Sequence, residues 1–221
     1  MSSLTQSIKR FARPAPVTAV ILGFNLLAYA FSAVQSRSWL SPLDASSFAQ
    51  DGILYAPLMH QPIEWLRAIT SSFLHIDPTH LGFNMLMLVL IGREVEKTLG
   101  SVAYLGTYLA CGVGGSLAVM LQAPLAPTVG ASGALYGLMA VFVAICMRTR
   151  SQVTPALVLI AVNFGYTLIT PNISLWGHIG GFFSGAVIGL LFFTRFRLSH
   201  MVWVLFGAEL LAVAYVGNSM V

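Results

Sequence analysis

Seven continuous apolar runs divide the chain, at roughly 16–35, 79–96, 102–122, 131–147, 153–170, 177–194 and 201–217. Each falls within the roughly 17–25 residues that a bilayer-crossing helix needs. The runs do not alternate polar with apolar, as the strands of a membrane barrel would. The pattern therefore predicts an all-α fold, a polytopic transmembrane helix bundle of about seven spans. One connection is long, roughly 36–78, and mixes Trp39, Leu40, Leu54, Leu58 and Trp65 with polar residues. A segment that apolar is expected to pack on or into the membrane interface. No internal repeat or low-complexity segment interrupts the pattern.

Composition points the same way. Of 221 residues, 57% are hydrophobic and 8% charged, where a soluble domain spends about 25% on charge. Too few charges remain to cover a water-facing surface, so lipid is the natural solvent. The length suits a single domain, 1–221. A net charge of +4 would suggest nucleic acid if the basic residues clustered, but they are scattered between the apolar runs. Cys111 and Cys146 both sit inside such runs and read as small buried hydrophobes, without disulfide or metal spacing. Lys9, Arg10 and Arg13 precede the first run as they would in a signal peptide. That run lacks a small-residue cleavage site and is followed by further spans, so it reads as a retained helix.

Charge also orients the bundle. With the N-terminus in the cytoplasm, Lys9, Arg10, Arg13, Arg93, Lys97, Arg148, Arg150, Arg195 and Arg197 fall inside, and only Arg37 and Arg67 outside. Such a bias sets topology in an inner-type cell membrane, and after seven spans it leaves Val221 outside.

Polar groups within the spans now have comparable depths. Ser132 precedes Arg148 by 16 residues and His178 precedes Arg195 by 17. At 1.5 Å per residue both side chains stand roughly 24–25 Å above the inner boundary, a few ångströms below the outer surface. The helices that carry them run the same way and have small residues at four-residue spacing: Gly133, Gly137 and Ala140 on one, Gly181, Gly185 and Gly189 on the other. Such stripes let backbones approach closely. A lone serine in a membrane helix commonly bonds its own backbone, but an unpaired imidazole in hydrocarbon needs a partner. Together they make a prospective nucleophile and base. His80 and Asn84, four apart, share a face at the outer start of the second span, behind Asp77 and Pro78, which read as cap and first-turn residues. They are either donors for an oxyanion or a polar pair that ties helices together.

These residues resemble the rhomboid family of intramembrane proteases. Gly130-Ala131-Ser132-Gly133 with Tyr136 one turn on is similar to its GxSG motif, and His178-Ile-Gly-Gly181 with Gly185 to its histidine helix. His75, His80 and Asn84 fit its H-x4-H-x3-N pattern, and Glu64 with Arg67, and Gly92-Arg93-Glu94 through Gly100, its loop and helix-end signatures. The likeness covers roughly residues 60–195, a six-helix core, with 201–217 as an extra C-terminal helix. One departure stands in the loop, where Leu66 precedes Arg67 and Trp65 is one place earlier.

The resemblance implies a serine endopeptidase that cleaves single-span membrane proteins near the outer face. Ser132 would be the nucleophile and His178 the base, with His80 and Asn84 on the oxyanion. Tyr136 would stack on His178, although from the residues alone it is as readily a packed aromatic. His75, Gly130 and Gly133 would support the site. No cofactor, metal or nucleic acid is implied. A metalloprotease would need a motif such as HExxH, and a transporter would carry inverted repeats or charges through the midplane. Only Glu209 stands at that depth.

Overall fold

The computed structural model describes residues 14–170, 173–194 and 197–220. Seven long helices follow the seven apolar runs: α1 (Pro16–Ser36), α2 (Pro78–Leu99), α3 (Ser101–Gln122), α4 (Ser132–Arg148), α5 (Thr154–Ile169), α6 (Leu175–Leu191) and α7 (Leu198–Ser219). Lys9, Arg10, Arg13, Arg195 and Val221 lie outside the described residues. The expectation of an all-helical polytopic bundle holds. In detail, α1, α3 and α7 have 21 or 22 residues, whereas α4, α5 and α6 are shorter apolar helices below 18. Within α2 the residues Leu88–Gly92 form a π turn between two α-helical stretches.

Local chemistry sets the ends of these helices. Pro16 and Pro78 open α1 and α2, where a proline's missing N–H costs nothing. Gly100, at φ 81°, is the single residue between α2 and α3 and takes a conformation that a side chain would resist. The start of α1 is capped from a distance. Buried Glu96 of α2 accepts the backbone N–H groups of Val17 and Thr18 at 2.9 and 2.8 Å and the hydroxyls of Thr18 and Ser101 at 2.7 Å each. A carboxylate there satisfies orphan donors and meets the positive end of the helix dipole.

Lipid offers no hydrophobic reward for helix contact, so close approach depends on small residues. The stripes expected from the sequence meet face to face. A Cβ at Gly181 or Gly185 would run into the carbonyl of Gly133 or Gly137, and one at Gly189 would lie 3.0 Å from Ala144. The third helix joins in, which the sequence reading did not foresee: a Cβ at Gly180 would meet the Gly114 carbonyl, and one at Gly115 would lie 2.7 Å from the Gly177 carbonyl. α6 is thus held between α3 and α4. Behind it a bulkier core of Leu88, Tyr104, Tyr108, Leu138 and Ile145 joins α2, α3 and α4.

The long connection folds over one end of this bundle. Arg67, buried, pairs with Glu64 and donates to the carbonyls of Gln50 and Ile53 at 2.7 and 3.0 Å. Trp65 donates to the Met59 carbonyl at 3.1 Å, and Ser116 of α3 to that of Ala68 at 2.9 Å. Leu54, Ala56, Met59 and Ala68 pack with Val119 of α3 and Val213 of α7. Trp39, Leu40, Leu58, Ile63 and Leu66 stay exposed, as an element at the apolar interface would leave them.

Candidate active site

The same connection fixes the approach to α4. Leu54 and Thr128 exchange backbone hydrogen bonds of 3.1 and 2.9 Å, and the N–H of Gly130 donates to the Ser71 carbonyl at 2.9 Å. Gly130 has φ 126°, and a Cβ there would sit 2.7 Å from the His80 ring. Only glycine meets both demands. The turn delivers Ser132 as the first residue of α4, where the opening N–H groups have no acceptor within the helix.

His178 stands in the first turn of α6, whose N-cap Ser174 accepts the N–H of Gly177 at 3.1 Å. The glycine contacts described above bring this turn against that of α4; a Cβ at Gly133 would lie 3.1 Å from the Gly177 carbonyl. As a result Nε2 of His178 is 2.7 Å from Oγ of Ser132, across 46 residues of sequence. Tyr136, one turn along α4, stacks on the imidazole with ring centres 4.0 Å apart and planes 13° from parallel. Of the two readings left open for this tyrosine, the geometry is the stacked one.

The far nitrogen of His178 meets a residue not singled out from the sequence. Nδ1 lies 2.8 Å from the hydroxyl of Thr167 on α5, and that oxygen is 2.7 Å from the Tyr136 hydroxyl. A threonine inside an apolar run gives no signal of its own, because such hydroxyls usually bond the preceding turn.

Opposite, Asp77 caps α2 by accepting the N–H of His80 at 2.8 Å, as expected. The His80 ring borders a cavity of about 310 Å³ with Ser132, His178, Gly130, Gly133 and Asp77. His75 is fully buried and meets His80 edge to face, ring centres 5.0 Å apart. Asn84, one turn further along α2, is buried and does not border the cavity. The sequence-derived residues therefore divide into Ser132, His178, Gly130, Gly133 and His80 in the cavity lining, and Tyr136, His75 and Asn84 outside it. Among the described residues no three His, Cys, Asp or Glu side chains converge as metal ligands.

A hydroxyl within hydrogen-bond reach of an imidazole, at a helix N-terminus beside a cavity, can act as a nucleophile with its base. Comparisons with known proteins agree in kind. The family model of the Rhomboid domain matches residues 62–195. The chain is 38% identical over 136 residues to rhomboid protease GluP of Bacillus subtilis, covering 58% of this chain and 27% of that protein. It is 31% identical over 140 residues to rhomboid-type serine protease 2 of Emericella nidulans, again 58% of this chain and 27% of the other. A second Bacillus subtilis protein, YdcA, is 27% identical over 195 residues, 85% of this chain and 94% of its own length. The chain spans about a quarter of GluP and of the Emericella protein.

Proposed function

The chain belongs to the rhomboid family, and from that premise we propose that it is an intramembrane serine endopeptidase whose substrates are single-span membrane proteins. The observation that carries this reading is the 2.7 Å contact between Ser132 Oγ and His178 Nε2 beside the cavity. Relatives whose names include rhomboid protease and serine protease support the reaction class.

In this mechanism Ser132 attacks the scissile carbonyl while His178 Nε2 takes its proton. The oxyanion receives hydrogen bonds from the Ser132 N–H and from His80, with Asn84 as a further donor one turn along α2. His178 then protonates the departing amine nitrogen, and the C–N bond breaks to leave an acyl-serine. Water enters, gives a proton to His178 and its oxygen to the acyl carbon, and Ser132 recovers its hydrogen. A bond in an intact helix is shielded by its own hydrogen bonds, so segments that unwind easily are the better substrates.

The proposed setting is a cell inner membrane with the N-terminus cytoplasmic, and the unequal division of Lys and Arg supports that orientation. It puts the cavity end of the bundle near the outer face.

The reading is tested with a fluorophosphonate probe and a panel of single-span proteins. The purified wild type is expected to be labelled once, on Ser132, and to cleave at least one panel member. Ser132→Ala is expected to abolish both reactions and His178→Ala nearly so, while chelators change neither. Cleavage that survives Ser132→Ala and vanishes with a chelator would overturn the serine mechanism.

A further inference from the structure

A base must hold its proton on the correct nitrogen before it can act. For His178 to accept from Ser132 through Nε2, its resting proton has to be on Nδ1. Thr167 Oγ1 faces that nitrogen at 2.8 Å, the Tyr136 hydroxyl at 2.7 Å and the Asn163 carbonyl, one turn earlier on α5, at 3.0 Å. A hydroxyl has one hydrogen to give and two lone pairs to receive. The carbonyl can only accept, so the Thr167 hydrogen goes to Asn163. The two lone pairs then take O–H from Tyr136 and N–H from His178. Every group in the cluster is satisfied by that assignment, and the Nε2 lone pair is left facing Ser132. The other tautomer would aim an N–H at the serine and could not receive its proton.

We propose that Thr167 is a positioning residue for the base: it holds His178 in the productive tautomer and stabilises the imidazolium formed when Ser132 gives up its proton. A neutral hydroxyl thus stands where a serine protease of three-residue type has a carboxylate. The inference rests on the Ser132–His178 mechanism proposed above. It also ties that mechanism to α5. On that helix only Ala156 and Thr167 are buried, while Leu157, Val158, Val162, Leu168 and Ile169 are exposed. Among the described residues, Thr167 is the polar contact from α5 to the reacting pair. An outward shift of α5 withdraws the acceptor from Nδ1, so the competence of the base depends on that helix being docked.

The test compares Thr167→Val, Thr167→Ala and Thr167→Ser with wild type, Ser132→Ala and His178→Ala in the same vesicles. Cleavage and fluorophosphonate labelling are followed across pH, with thermal stability alongside. Among the described residues, the titratable groups that face His178 are Tyr136 stacked on its ring and Tyr166, His80 and Asp77 around the cavity, and all are retained in the Thr167 series. Loss of the acceptor should lower kcat by roughly 10- to 100-fold, a part of the roughly 10²–10⁴-fold that general acid–base catalysis contributes because the base itself remains, and leave KM nearly unchanged. The imidazolium loses a stabilising bond, so the acid limb of the pH profile should move to lower pH. Thr167→Ser should restore both rate and limb. Thr167→Val with wild-type kcat and acid limb would overturn the proposal. So would a rate loss that follows thermal stability, leaves the limb in place and is not rescued by serine. Cleavage by Ser132→Ala would instead overturn the underlying dyad.

Discussion

Gly185 and Gly137 face each other across α6 and α4 so closely that a methyl group on the first would overlap the carbonyl of the second. Nothing flexible stands at that contact to give way. Gly185→Val should therefore separate the two helices and with them Ser132 from His178. Overpacking of this kind costs about 1–3 kcal/mol or more. Lower thermal stability and lost labelling of Ser132 are the expected results; a variant unchanged in both would show that the helices do not meet through this face.

The proposed oxyanion donors, His80 and Asn84, should not be equivalent. His80 borders the cavity and Asn84 does not. Removing one such donor elsewhere costs roughly 10²–10³ in rate, and a smaller loss is expected where several donors share the load. His80→Ala should slow turnover more than Asn84→Ala does, in proteins that remain folded. The reverse order in single-turnover kinetics would identify Asn84 as the principal donor.

Glu209 of α7 is buried and its Oε1 accepts the Ser184 hydroxyl of α6 at 2.6 Å. Neither residue borders the cavity, and glutamine retains the acceptor. Glu209→Gln is expected to express, fold and cleave much as wild type does. Complete loss of cleavage at normal expression would give this acid a role in the reaction.

Glu96 fastens the start of α1 to the far end of α2. Glu96→Ala leaves the Val17 and Thr18 donors without their acceptor, and an orphaned buried group such as the Thr18 N–H costs about 1–3 kcal/mol. The protein should lose stability in detergent while the labelling rate of the folded fraction stays close to wild type. Unchanged thermal stability would show that water replaces the carboxylate at no cost.

Topology is open to direct measurement. With the N-terminus inside and seven helices between, a reporter fused after Val221 that works only in the cytoplasm should be silent. Strong signal would reverse the orientation or remove a span.

Much of this was legible in the sequence because membrane helices announce themselves by length and continuity. Depth arithmetic along two such helices sufficed to bring Ser132 and His178 level, and the spacing of Gly181, Gly185 and Gly189 foretold the contact that joins them. Thr167 was not legible, since its hydroxyl also bonds the Asn163 carbonyl and so resembles any self-satisfied threonine. Glu96 stands unmarked inside the Gly92–Gly100 helix-end signature, because a cap that one helix supplies to another leaves no local pattern. Gly114 and Gly115 carry no signal for a similar reason: which face of α3 meets a partner depends on how α6 is seated. Asn84 shares a helix face with His80, yet a shared face did not make it part of the cavity wall.

The shortness of α4, α5 and α6 reaches beyond the protein into the lipid around it. Helices of 17, 16 and 17 residues extend about 24–26 Å, against a hydrocarbon layer of about 30 Å. Local thinning of the bilayer beside the exposed flank of α5 is one way to match it, at a fraction of a kcal/mol per ångström of mismatch. If the bilayer thins there, a client helix sized for the thicker surrounding bilayer is too long on arrival, by about four residues. Pushing those residues into the headgroups at the Ser132 end removes them from hydrocarbon, where helical hydrogen bonding is compulsory. Under the proposed function, the membrane near α5 would thereby begin to unwind a substrate before any side chain of the protein touches it.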